Sequence, residues 1–191
     1  MKQKLSGVLV LIILLILSVG CGSKPYETAT ENFLKAYQGK DIDGAEQFID
    51  KPDKTYSNLF ALKDSDKQLF GEAFSHLEYE ILESKIEKDK AEVVVNIKAK
   101  NLGQVNELFI AEIYRLALEE KKDGFEIEKM MGDLYLKFLN QADIKMTETK
   151  TIIHLTKKSN QWLIIPDFEL RDAITGGLYK AYGNGQVNEV K

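Results

Sequence analysis

Of 191 residues only one is cysteine, one is tryptophan and three are proline. A lone Cys21 closes no disulfide within the chain and offers no thiolate cluster to a metal, so stability has to come from packing. Histidine is nearly as scarce, and His76 and His154 lie seventy-eight residues apart with no ligand spacing between them. Arginine occurs only at 115 and 171. Lysines mix with glutamates in runs such as Glu83 to Lys90, the pattern of a solvated surface. Neither a GxGxxG nor a Walker sequence is present, and Gly176-Gly177 lacks the strand-turn-helix setting of a phosphate loop. There is no internal repeat and no low-complexity block.

What stands out instead is the start. Lys2 and Lys4 precede ten unbroken apolar residues, Val8 to Leu17, which are followed by Ser18-Val-Gly-Cys21. Ten helical residues rise about 15 Å, roughly half a bilayer's hydrocarbon core, so the run is too short to span. Basic n-region, apolar h-region and small residues before a cleavage site make a secretory signal. With cysteine just beyond that site, the segment resembles a bacterial lipobox, in which the thiol takes a diacylglycerol and becomes the mature N-terminus. Ser18 stands where that motif usually has leucine, with Leu17 one place earlier, and Gly20 supplies the small residue. The expectation is lipid attachment at Cys21 on the extracytoplasmic face of the cell membrane. Two acyl chains at about 0.8 kcal/mol per buried methylene give stable anchoring.

Loss of residues 1–20 leaves 171 residues, enough for one domain. It also removes two lysines, taking the formal charge from −4 to −6. That charge speaks against a nucleic-acid partner, which needs a clustered basic face. It speaks equally against polybasic attraction to anionic lipid, so the acyl chains are expected to hold the membrane alone. Residues 21–26 read as a polar tether reaching roughly 20 Å. Residues 27–182 read as the domain and 183–191 as a loose tail.

Within the domain, Thr28 or Glu27 is placed to cap a helix through about Tyr37 that Gly39 ends, with Ala29, Phe33, Ala36 and Tyr37 as its apolar face. Asp41-Ile-Asp-Gly opens a short helix with Ala45, Phe48 and Ile49 inward, and Pro52 stops it. A helical region follows between Asp53 and Phe74, offering Leu59, Phe60, Leu62, Leu69 and Phe70, with a break and new cap at Asp64-Ser-Asp. Alternation of Tyr79, Ile81, Val93, Val95 and Ile97 then predicts a hairpin, 77–87 and 91–100, turning at Lys88-Asp89-Lys90. The period changes to three and four through Val105, Leu108, Phe109, Ile113, Leu116 and Ala117. It continues through Ile127, Met131, Leu134, Phe138 and Leu139, predicting a helical hairpin over 103–142. Strands return at 145–157 and 161–165, closed by Pro166, and a short helix is expected at 167–173.

Two segments carry a family likeness. Glu31-Asn-Phe-Leu-Lys-Ala-Tyr-Gln-Gly-Lys-Asp-Ile-Asp-Gly-Ala-Glu-Gln-Phe resembles the opening of the nuclear transport factor 2-like, cystatin-like lipoproteins of Gram-positive bacteria, many known only as domains of unknown function. Lys158-Ser-Asn-Gln-Trp-Leu-Ile-Ile is similar to that family's closing hairpin. The resemblance implies an α+β fold: N-terminal helices on a curved antiparallel sheet. The hairpin 103–142 between the two strand pairs is a departure from compact members.

Enzymes resembling this fold place an aspartate or histidine inside the cone of sheet and first helix. His76 falls at a helix-to-strand junction, and His154 within a strand whose face the alternation leaves open; both are expected to be structural or solvated. Asp167 can cap the last helix or face a pocket mouth. Asp41, Asp43 and Gly44 mimic the start of a calcium loop, but Pro52 occupies the place of its bidentate acid. Tyr37, Tyr56, Phe60, Phe70, Phe74 and Phe109 read as core before cavity lining, and Met130-Met131 as gap fillers before a contact surface. No catalytic residue, cofactor or metal site is therefore expected. The leading expectation is a non-catalytic module binding a small molecule or another envelope protein. Alternatives are an enzyme using acid-base chemistry in the cone and a structural or accessory lipoprotein. A buried ionisable group at a pocket floor would mark the enzyme, whereas a filled cone with an exposed apolar patch would mark a partner role.

Overall fold

In a computed structural model, the structure describes residues 24–50, 64–119 and 124–182. Cys21, Pro52, Tyr56, Leu59, Phe60, Leu62 and the tail 183–191 lie outside the described residues, and so do the expectations that fall on them. The elements in chain order are α1 (Pro25–Gln38), α2 (Ile42–Glu46), α3 (Asp64–Phe74), β1 (Glu78–Glu87), β2 (Lys90–Lys100), α4 (Leu102–Glu119), α5 (Gly124–Leu139), β3 (Met146–Lys158), β4 (Gln161–Ile165), α6 (Phe168–Ile174) and α7 (Leu178–Tyr182). The class is α+β, with helices packed on one antiparallel sheet of order β1-β2-β3-β4 and the helical pair α4–α5 inserted between the two strand pairs.

α1 opens earlier than its polar residues suggest. Pro25 holds the first helical position, where its fixed φ suits the helix and its missing N–H costs nothing. Lys24 is the N-cap without any side-chain cap bond, so neither Thr28 nor Glu27 serves as cap. Thr28 Oγ1 instead donates back to the Lys24 carbonyl at 3.3 Å. Pro25 and Tyr26 therefore belong to the folded domain, and Tyr26 is buried edge-on against Trp162 with ring centroids 5.6 Å apart. Gly39 does end the helix, but at φ −78°; the left-handed residue of the turn is Lys40 at φ 62°.

Asp41 caps α2 by accepting the Gly44 N–H at 2.8 Å, so the calcium-like triplet is a turn and a cap. Beyond α2 the chain runs beside β4. The Ile164 N–H donates to the Phe48 carbonyl and the Asp50 N–H to the Ile164 carbonyl, each at 2.7 Å. Ile49 thus bridges Ile164 in parallel and covers part of the β4 edge.

The two hairpins turn at one end of the sheet. Glu87 pairs with Lys90 around Lys88, which sits at φ 54°. Lys158 pairs with Gln161 around Ser159 and Asn160, both left-handed, the twist that two-residue hairpins favour. Ala91, Val93, Val95, Ile97, Ile153, Leu155, Trp162 and Ile164 share the face that meets α1 and α6, and all are buried. The opposite face is mostly charged or polar, with Lys98 bonded to Glu78 at 3.1 Å and Asn96 to Glu148 at 2.5 Å, although Val94 pairs with Ile152 there and Ile152 and Ile165 stay exposed. A bulge between Ile81 and Glu83 leaves Leu82 unpaired and 46% exposed.

Candidate functional site

The space between sheet and first helix, where the resemblance places a cone, is packed. Phe33, Leu34 and Tyr37 from α1, Val93 and Val95 from β2, Ile153 and Leu155 from β3, and Leu170 from α6 are almost wholly removed from solvent. Three rings meet in sequence: Phe33 lies edge-on to Tyr37 at 4.8 Å, and Tyr37 lies tilted against Phe74 at 4.7 Å. Of the described aromatic candidates, Tyr37 and Phe74 are core, Phe70 and Phe109 are partly buried against it, and Phe70 also lines a cavity.

Polar groups do enter the interior. Arg171 and Asp172 are buried in α6, and Thr151 is buried on the inner sheet face with no hydrogen-bond partner for its hydroxyl among the described residues. Burial pushes the Tyr37 phenol well up, and the Tyr179 phenol up as well, while the nearby Arg171 charge opposes both shifts. Asp172 is tied off locally. Its Oδ1 accepts the Lys180 backbone N–H at 2.8 Å and its Oδ2 lies 3.2 Å from the Lys180 ammonium. A carboxylate so held fixes α7 in place and does not stand free at a pocket floor.

Neither histidine stands in the packed interior. The register places His154 opposite Glu92 on the outer sheet face, with Nδ1 3.9 Å from the carboxylate. His76 follows α3, and its Nε2 is buried without a hydrogen-bond partner among the described residues. Burial, then the Lys100 charge, lower its pKa, with Glu72 opposing and Lys40 adding to the fall. Glu72 in turn is ion-paired with Lys40, which holds the carboxyl below its usual range. Asp167 accepts the Leu170 N–H at 2.8 Å and is the cap of α6.

Among the described residues, two cavities and one helix face stand out as places a partner could occupy. A cavity of about 200 Å³ lies between α3, α4, α5 and α7, lined by Leu69, Phe70, Ala73, Asn106, Tyr135 and Leu178. It is apolar except for the Asn106 amide and the Tyr135 phenol. A groove of about 240 Å³ at the start of α1 is lined by Pro25, Ala29, Phe48, Trp162 and Leu163. The third is a stripe on α4, where Ile110, Tyr114 and Leu118 recur every four residues and stand 39%, 66% and 79% exposed. Ala111 and Ala117 are exposed with them, and Met130 and Met131 are exposed on α5. The two methionines thus lie at the surface rather than filling core gaps. Helical periodicity selects the side of α4 where Val105 and Leu116 are buried, wrongly adding the exposed Ala117 to it, so this stripe goes unnoticed in sequence.

Among the described residues no helix is long and apolar enough to cross a membrane, and no group of three or more His, Cys, Asp or Glu side chains could hold a metal ion. No family model matches the chain, and no curated protein matches it. Among solved structures it is similar to an NTF-2 like protein of unknown function from Shewanella oneidensis MR-1, 12% identical, over 72% of this chain and 88% of that one, with a TM-score of 0.42. The α+β class rests on the four-stranded antiparallel sheet and the helices packed on it.

Proposed function

We propose that the protein is a lipoprotein held through Cys21 on the extracytoplasmic face of the cell membrane, and that it is a non-catalytic module binding another envelope protein through the α4–α5 hairpin. It would then belong with the nuclear transport factor 2-like, cystatin-like lipoproteins of Gram-positive bacteria that its sequence resembles. The observation that carries the binding role is the exposed stripe Ile110, Tyr114 and Leu118 beside an interior already filled by its own side chains. Aromatic and aliphatic side chains left in water at helical spacing fit a helix or groove of a partner. The anchor has its own support in the basic, apolar and small-residue pattern that ends at Cys21.

The test is photo-crosslinking from position 111 in intact membranes, followed by mass spectrometry of the adducts. A single recurrent protein adduct, lost in Tyr114→Glu/Leu118→Glu, is expected; adducts unchanged by those substitutions sink the reading. For the anchor, Cys21→Ala should release the protein from membranes and abolish the acyl mass. A second reading has its own observation, the cavity between α3, α4, α5 and α7, whose apolar wall and single amide suit a small apolar molecule with one polar group.

A further inference from the structure

The anchor leaves the domain little freedom. Because α1 begins at Pro25, only Gly22 and Ser23 separate Cys21 from Lys24, where the described chain starts. Three residue steps, fully extended, reach about 10 Å. Lys24 is itself tied down: its ammonium donates to Ser84 Oγ at 2.8 Å and pairs with Glu27 at 3.0 Å, and Ser84 also bonds Glu27. Ser84 lies near the β1–β2 turn, while Tyr26, the ring partner of Trp162, lies near the β3–β4 turn. The Lys157 N–H donates to the Asp89 carbonyl at 2.8 Å, which joins the two turns. The chain therefore enters the domain at the end of the sheet that carries both hairpin turns.

Charge is arranged in the same sense. Lys85 pairs with Glu92 and Lys158 with Asp50, each at 2.8 Å, but Lys88, Lys90 and Lys157 have no ion pair among the described residues. Glu83, Glu87 and Asp89 share this end, which is thus close to neutral, whereas the chain from Cys21 carries a formal −6. The acidic excess lies elsewhere in the molecule, and an anionic surface repels it.

We infer that the domain stands on the bilayer with this turn-bearing end down, Lys88, Lys90 and Lys157 meeting anionic lipid headgroups. The inference rests on the Cys21 anchor proposed above and adds an orientation to it. β2 spans eleven residues, about 36 Å, so the opposite end of the sheet is held that far from the headgroups. At that end the Asn101 N–H donates to the Lys145 carbonyl at 2.9 Å, closing the base of the α4–α5 hairpin. The cavity beside Asn106 and Tyr135 sits near that base, on the side away from the membrane.

The natural chain makes the experiment clean, since its one cysteine is taken up by lipid. Fluorophores are placed on the lipidated full protein at Asp89→Cys, Gln161→Cys, Asn140→Cys or Asp143→Cys. The protein is then reconstituted into phosphatidylcholine vesicles, with or without phosphatidylglycerol, containing headgroup-nitroxide lipid. Quenching several-fold stronger at 89 and 161 than at 140 and 143 is expected, and stronger again with phosphatidylglycerol. The added effect of phosphatidylglycerol should vanish in K88E/K90E/K157E. Equal quenching at all four positions in vesicle-bound, lipidated protein overturns the orientation while leaving the anchor intact. Protein that carries no acyl mass and floats with no vesicles overturns the anchor and the orientation together. Quenching indifferent to phosphatidylglycerol overturns the part given to the three lysines.

Discussion

Asp172, buried in α6, accepts the backbone N–H of Lys180 at 2.8 Å and faces its ammonium at 3.2 Å, so one carboxylate both caps α7 and pairs with it. Lys180 is half exposed and also meets Glu169 at 2.9 Å, whereas the Asp172 side chain is 3% exposed. Removing the lysine leaves a buried charge with its backbone donor alone. Lys180→Ala is predicted to cost about 1–3 kcal/mol of stability, the range for an under-satisfied buried polar group. Urea unfolding should show the lower midpoint at an unchanged slope. A loss within about 0.5 kcal/mol, as for an ordinary surface substitution, contradicts the role given to the pair.

Gly176 and Gly177 form the bend from α6 to α7, at φ 61° and 95°. A Cβ on Gly176 would lie 2.2 Å from the Lys100 carbonyl oxygen, a backbone atom that cannot swing aside; on Gly177 it would meet nothing within 4 Å. Gly177→Ala is predicted to cost about 1–2 kcal/mol, for left-handed φ alone. Gly176→Ala should cost clearly more, because the end of β2 must also move. Thermal unfolding of both variants decides it: equal losses would mean the close approach is relieved elsewhere.

How much of this was readable in sequence follows from what each signal reports. Alternation in β1 and β2 named Val93, Val95 and Ile97 as inward, and they are buried, because one face of that sheet is packed and the other wet. The same signal could not place His154. Its neighbours Ile152 and Thr156 face outward with it, and only pairing with Glu92 settles the face. The start of α1 escapes sequence rules because a proline at the first position replaces the polar cap on which those rules rely. Arg171 was out of reach too. α6 is so enclosed that Leu170 to Ile174 are all buried, and no helical period separates an inner side from an outer one. The Ile110, Tyr114 and Leu118 stripe was hidden for the reverse reason: α4 is apolar on both sides, and periodicity finds only the side that packs.

Filling the cavity distinguishes a ligand site from a packing defect. Apolar cavities of comparable size bind benzene-like molecules. Toluene or benzyl alcohol is predicted to raise the melting temperature of the protein, benzyl alcohol more because the Asn106 amide can bond its hydroxyl. Ala73→Phe should abolish both effects, and Leu69→Trp offers a second route to filling should that variant fold poorly. A response to neither probe, or one that survives both substitutions, rules out the small-ligand reading.

His76 should make stability fall with acid. Burial, with the Lys100 and Lys40 charges, lowers its pKa from 6.5, against the opposing Glu72. Between that depressed folded value and 6.5 the unfolded chain binds more protons than the folded one, so unfolding free energy rises with pH across the window. Stability is thus fully present above 6.5 and is lost as pH falls toward the folded value. The lowered carboxyls of Glu27 and Glu72 act in a separate range, at and below their ordinary 4.5. Urea midpoints measured from pH ~7.5 down to ~5 should therefore decline in the natural protein and stay flat in His76→Gln. If the slope persists in His76→Gln, the buried Nε2 is not its source.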